Sequence, residues 1–228
     1  MSRTGLITLI VANLFVALQT LRHEWGYYET LLIYWSEVVI LGGYNVLRLM
    51  VVGVVGAAPL GTWAARWVNL GSVLNRFFFT VVGIVFFVVK FGAFAFGIGL
   101  FVLLLPAMLG SGNGGVGASI PRALSAAGPG LLIATGALCL SHGVSLIRNF
   151  LMGREFDRLD ILHLVFWPYL RMFLVGVVLL LGLAVAQALP GLGRETAFAV
   201  VMVLLKLLAD AASHTLEHRS LMSEPRVE

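Results

Sequence analysis

The sequence predicts an all-α fold: one integral membrane domain over residues 1–228, folded as a bundle of six transmembrane helices. Three observations predict it. Hydrophobic residues make up 60% of the chain and charged residues 11%, with a mean hydropathy of +0.99. That is too little charge to cover the surface of a soluble domain of this length. The apolar runs reach the roughly 20 residues a helix needs to cross hydrocarbon. The arginines gather at the ends of those runs, where they orient a membrane protein.

The first span is Gly5–Leu21. It follows Met1-Ser2-Arg3 as a signal peptide would, but no small-x-small cleavage site interrupts it, and Trp25, Tyr27 and Tyr28 follow as an interfacial belt. An uncleaved helix is therefore expected. Tyr28–Val52 and Phe78–Leu105 are the second and third spans. Between them, residues 59–76 are too polar to cross, while Trp63, Trp67, Leu70 and Leu74 share one helical face. That pattern suits a helix lying in the interface, and a loop anchored by two tryptophans fits it equally well.

The loop Leu109–Arg122 contains Gly-Ser-Gly-Asn-Gly-Gly but lacks the Gly-Lys-Ser/Thr ending of a phosphate loop, so a flexible connector is expected. Gly130–Phe150 and Ile161–Ala186 are the fourth and fifth spans, joined by a charged turn holding Arg154, Glu155, Asp157, Arg158 and Asp160. Pro168 sits in the first turns of the fifth span, where it is tolerated or kinks the helix. Glu195–His214 is the sixth. No internal repeat is evident between the two halves.

With the N-terminus in the cytoplasm, ten of the thirteen arginines fall on the cytoplasmic side, and only Arg22, Arg122 and Arg194 fall outside. This positive-inside bias places both termini in the cytoplasm and the chain in a cell inner (plasma) membrane. The net charge of +4 and pI near 9.6 come without a basic cluster interleaved with aromatics. The expected partner is thus the lipid bilayer and not nucleic acid. A homo-oligomer stays open. The single Cys139 cannot form an intrachain disulfide.

Chemistry-bearing residues concentrate at the end of the sixth span, where Lys206, Asp210, His214 and His218 recur one turn apart on one stripe. His214-Thr-Leu-Glu217-His218 matches the H-x-x-E-H pattern of inverzincins, in which two histidines bind zinc and the glutamate is the base. The further acidic ligand those enzymes need downstream has only Glu224 and Glu228 to supply it. The end members of Asp210, His214 and His218 lie about 12 Å apart along a helix, so all three cannot hold one ion. Two of them can, with His142 of the fourth span as third ligand, and zinc is the expected metal. Asn45, Ser141, Ser145 and His163 fall at similar depth. The plainer alternative is a solvated helix end at His218 and Glu217, with His214 hydrogen-bonded to a neighbouring helix.

Glu37 lies near the middle of the second span, and Lys90 and Lys206 fall at comparable depth. An ion pair of Glu37 with one of these lysines would remove the cost of isolated charges in hydrocarbon, as a register-fixing pair or as a proton relay.

Taken together, Asn13, Trp25, Tyr34-Trp35-Ser36-Glu37, Gly43-Tyr44-Asn45, Ser141-His142, Pro168-Tyr169-Leu170-Arg171 and the Lys206-x3-Asp210-x3-His214-x3-His218 tail resemble an uncharacterised prokaryotic integral membrane family, a domain of unknown function. The resemblance covers nearly the whole chain and implies a multi-span fold with no known activity. A looser likeness is to membrane hydrolases that include alkaline ceramidases, although six spans replace seven and the histidines share a helix with Asp210. Rhomboid proteases also have six core spans, but their Gly-x-Ser-Gly motif is missing from the fourth span.

Three functions follow as expectations. The first is a helical bundle without catalysis, with a polar, metal-binding cluster near the cytoplasmic leaflet. The second is a metal-dependent hydrolase of a lipid, acyl or peptide bond, with Asp210 or Glu217 as base. The third is a proton-coupled transporter of small solutes using Glu37.

Overall fold

The computed structural model describes residues 27–56, 73–108, 128–157, 159, 161–188 and, in the last part of the chain, 201–202, 204–205 and 208. Four helices account for nearly all of these: α1 (Tyr27–Val55), α2 (Val73–Met108), α3 (Pro129–Ser145) and α4 (Ile161–Ala188). Within them, Thr30–Val55, Leu74–Leu104, Pro129–Met152 and Ile161–Gly182 are long and apolar enough to cross a membrane.

These four correspond to the second to fifth predicted spans. The predicted first span lies outside the described residues, as does most of the sixth, of which the five described residues are helical. The predicted interfacial stretch 59–76 lies outside them up to residue 72, and its last four residues are corrected by the structure. Val73–Arg76 form the first turn of α2. Arg76 donates from a guanidinium nitrogen to the Gly56 carbonyl at 2.6 Å, placing a cation on the C-terminal end of α1, which the helix dipole favours.

α1 is the central element and packs against α2, α3 and α4, while α2 also packs against α4. Named contacts give the directions. Gly53 of α1 meets Thr80 of α2, and Gly42 meets Phe91. Further along, the Trp35 indole donates to the Ala95 carbonyl at 2.8 Å. α1 and α2 are therefore antiparallel. Tyr44 reaches Cys139 and Arg48 reaches Phe150, so α1 and α3 run parallel. Gly83 meets Ile161 and Phe94 meets Tyr169, so α2 and α4 also run parallel. Val55, Val73, Met152 and Ile161 thus gather at one end of the bundle, called here the near end.

Small residues set the close approaches. A Cβ on Gly99 would lie 2.7 Å from the Trp35 indole nitrogen, and one on Gly53 would overlap the Thr80 hydroxyl. In hydrocarbon, backbone proximity of this kind replaces the hydrophobic effect as the source of helix association. Leu49, Val52, Phe87, Val102 and Phe150 are fully buried where these helices meet. Phe87 and Phe91 stack at 4.8 Å, and Tyr169 stands nearly perpendicular to both, 6.3 and 6.2 Å from their centres.

The predicted fourth span is not a uniform helix. It starts normally, with Pro129 after an extended Gly128, a placement that wastes no hydrogen bond. From Leu146 to Met152 it widens into a π-helical turn, and the Gly153 amide bonds back five residues to the Arg148 carbonyl at 3.1 Å. Arg154 follows with a positive φ of 52°, a left-handed conformation that costs a non-glycine residue about 1 kcal/mol. Its guanidinium bonds Asp157 at 2.8 Å and lies 5.9 Å from the Phe156 ring centre. Of the expected charged turn, Arg154, Glu155 and Asp157 are described, and Glu155–Asp157 form a short 3-10 turn; Arg158 and Asp160 lie outside the described residues.

Candidate functional site

One cluster of polar groups lies in the near half of the bundle, where α1, α3 and α4 converge, while Thr30 and Glu37 are buried in the far half of α1. α1 supplies Tyr44, Asn45 and Arg48. They are consecutive or one turn apart, so they fan out toward different neighbours. Asn45 is buried and donates from its amide nitrogen to the Leu164 carbonyl of α4 at 2.8 Å. Pro168 explains why that carbonyl is available. It stands four residues beyond Leu164 and has no N–H to return to it. A backbone acceptor left open inside an apolar bundle is costly, and a side chain of a neighbouring helix fills it.

Tyr44 points to α3. Its hydroxyl donates to the Cys139 carbonyl at 2.8 Å, and a Cβ on Gly143 would come within 2.9 Å of the same oxygen. The Tyr44 ring lies 6.1 Å from the His142 imidazole at a 40° tilt. His142 is thereby turned toward α1, half-buried, one residue short of Gly143 and just ahead of the π turn. Ser145 accepts a bond from the Asn149 amide at 3.3 Å, while Ser141 is exposed. Arg48 sits 5.5 Å from the centre of the Phe150 ring, a cation–π pair that fastens the π turn to α1. His163, at the start of α4, stacks on Trp167 at 5.3 Å and 11°.

The structure brings Tyr44, Asn45, Arg48, His142 and Ser145 to one region. In the sequence Tyr44 stands out only as part of the Gly43-Tyr44-Asn45 motif and Arg48 only as one of the cytoplasmic arginines, and nothing in the sequence pairs them with Cys139 or Phe150. Lys206, Asp210, His214, Glu217 and His218 lie outside the described residues. Among the described residues, no three His, Cys, Asp or Glu side chains converge as a metal cluster.

Glu37 and Lys90 are both described, and they are apart. Glu37 is buried in α1 at 8% exposure. Lys90 is on the exposed flank of α2. The pairings of Gly53 with Thr80 and Gly42 with Phe91 set residue 43 level with Lys90. Glu37 is then six residues, or about 9 Å, further along the bundle. No ion pair joins the two. Among the described residues the ion pair shown is Arg154 with Asp157.

A family model described as a family of unknown function (DUF6498) matches residues 1–226. No curated protein and no solved structure matches the chain.

Proposed function

The chain belongs to that family of unknown function, and from this premise we propose that it is a six-span bundle of the bacterial-type inner membrane whose polar cluster binds zinc near the cytoplasmic leaflet. Both termini and the near end face the cytoplasm, as the arginine placement requires. The metal ligands are His142 of α3 with His214 and His218 of the sixth span, and the cluster serves to fix helix arrangement. Asn45 and Tyr44 hold α1 in place around it.

One observation carries this reading. His142 is turned toward α1 beside the Tyr44 ring, in the near half where the C-terminal end of the sixth span would arrive. Two imidazoles one turn apart can converge on one ion with a third ligand from another helix. The π turn that follows His142 supports it, since such turns recur at functional sites.

Glu37 fits a pairing role with Lys206, the other lysine of the chain. Its burial within α1, away from the groove between α2 and α4, favours that role over a solute carrier.

Zinc content of the purified protein tests the reading. One ion per chain is expected, lost in His142→Ala and in His214→Ala with the protein still folded. Equal, near-zero zinc in all three would return the cluster to a purely packing role.

A further inference from the structure

Lys90 occupies the middle of the longest span. It stands 16 residues beyond Leu74 and 14 before Leu104 in a span of 31 residues. On its flank are Phe86, Val89, Phe94 and Phe96, all exposed and apolar. Among the described residues no hydrogen bond or ion pair involves Lys90. A charged lysine at mid-membrane costs several kcal/mol unless it is paired or reaches water. Its side chain extends roughly 6 Å, while the headgroups begin about 15 Å from the midplane. A lipid headgroup is out of reach, so the counter-charge must be supplied within the hydrocarbon.

Among the described residues no acid is available to it. Within the four described spans Glu37 is the single Asp or Glu, and it is buried in α1. The proposed first span, Gly5–Leu21, contains no acid, and in the sixth Glu195 and Asp210 stand toward opposite ends. A second copy would present the same set of spans.

Beside Lys90 runs a groove of about 420 Å³ between α2 and α4, lined by Ala93, Phe94, Gly97, Phe101, Gly176 and Leu180 among others. Lys90, Phe94, Gly97 and Phe101 follow at intervals of four, three and four residues, one helical stripe. A Cβ at Gly97 or Gly176 would meet nothing within 4 Å. The groove therefore has room for side chains from a neighbouring helix, and its glycines allow the backbones to approach closely.

We propose that this flank docks a membrane-spanning helix of a partner protein that carries a carboxylate near its middle. The groove takes the partner's apolar side chains, and Lys90 pairs with its acid. The proposal rests on the reading of the chain as a membrane bundle.

The test uses the full-length chain in phosphatidylcholine vesicles and a leucine–alanine transmembrane peptide of about 24 residues with one central glutamate, or glutamine in its place. Energy transfer between labelled chain and peptide reads association. The glutamate peptide is expected to bind about tenfold more tightly than the glutamine peptide. Lys90→Gln should abolish that preference, and Lys90→Glu should reverse it toward a peptide with a central lysine. Gly97→Leu, which fills the groove and leaves the charge, should weaken the glutamate peptide severalfold. Equal association of both peptides with the unaltered chain overturns the proposal. So does displacement of the glutamate peptide by palmitate at equal concentration, which would make a fatty carboxylate the occupant, or disulfide coupling of two Lys90→Cys chains across this flank. Release of the chain from vesicles by alkaline carbonate would instead overturn the membrane reading beneath it.

Discussion

α4 and α3 both lie against α1, and they are attached in different ways. α4 buries a row of side chains, among them Leu164, Val165, Met172, Val175 and Leu179, and receives the Asn45 amide at the carbonyl left open by Pro168. α3 buries no residue between Pro129 and Ser145. It packs on the core through the half-buried Leu131, Ala134 and Leu138 and meets Tyr44 of α1 at Cys139 and His142, but it buries a side chain fully only in the π turn that follows, where Phe150 is 0% exposed under Arg48. Both are apolar helices of spanning length. Apolar length therefore makes both helices able to cross a membrane, while side-chain interlock and hydrogen bonds to stranded carbonyls set how firmly each is held.

Four experiments break or sharpen that contrast. Phe150→Ala should have the largest effect, about 3 kcal/mol, the low end for core phenylalanine truncation because hydrocarbon is as apolar as the core. Unfolding in mixed micelles measures it, and a change below a third of that value would show that the π turn does not anchor α3. Next comes Gly53→Val, expected to cost about 2 kcal/mol by forcing α1 off Thr80. Gly136→Val on α3 faces open space and should be neutral. The melting temperatures of the pair should separate clearly.

Asn45→Ala should cost about 1–2 kcal/mol by orphaning the Leu164 carbonyl. Pro168→Ala in the same chain restores an amide at position 168 and should recover most of the loss. A double-mutant cycle with no coupling would mean that Asn45 acts elsewhere. Tyr44→Phe should be the mildest, about 0.6 kcal/mol. Its mark should be regional: faster amide exchange in α3, with α4 unchanged.

Much of this architecture is legible in the sequence. Hydropathy and helix length locate Tyr27–Val55 and Ile161–Ala188 within a few residues, because lipid demands continuous apolar runs whatever their packing. Depth is legible as well, and Asn45 and His142 were both placed in one half of the bundle by counting residues from the span ends. Lateral position is not. Helices apolar on all sides carry no stripe to say which face turns inward. That is why Lys90 and Glu37 read as partners at similar depth, and why only the structure shows Lys90 on the outer flank of α2 and Glu37 inside. The Asn45–Leu164 bond has half a signal, since Pro168 announces a stranded acceptor without naming its donor. The π turn has none, because its residues, Leu146 to Met152, would suit an ordinary helix.

That turn has a mechanical consequence. A π turn accommodates one residue more than an α turn, so the chain beyond it is rotated by about 100° relative to an uninterrupted helix. It acts as a crank in the shaft of α3. The stem can spin its outward side chains freely through mutation while the foot keeps Phe150 locked in its socket. Removing a single residue from 146–149 would straighten the crank and leave Phe150 facing its socket, whereas closing the turn into an ordinary helix with every residue kept would swing Phe150 about 100° away.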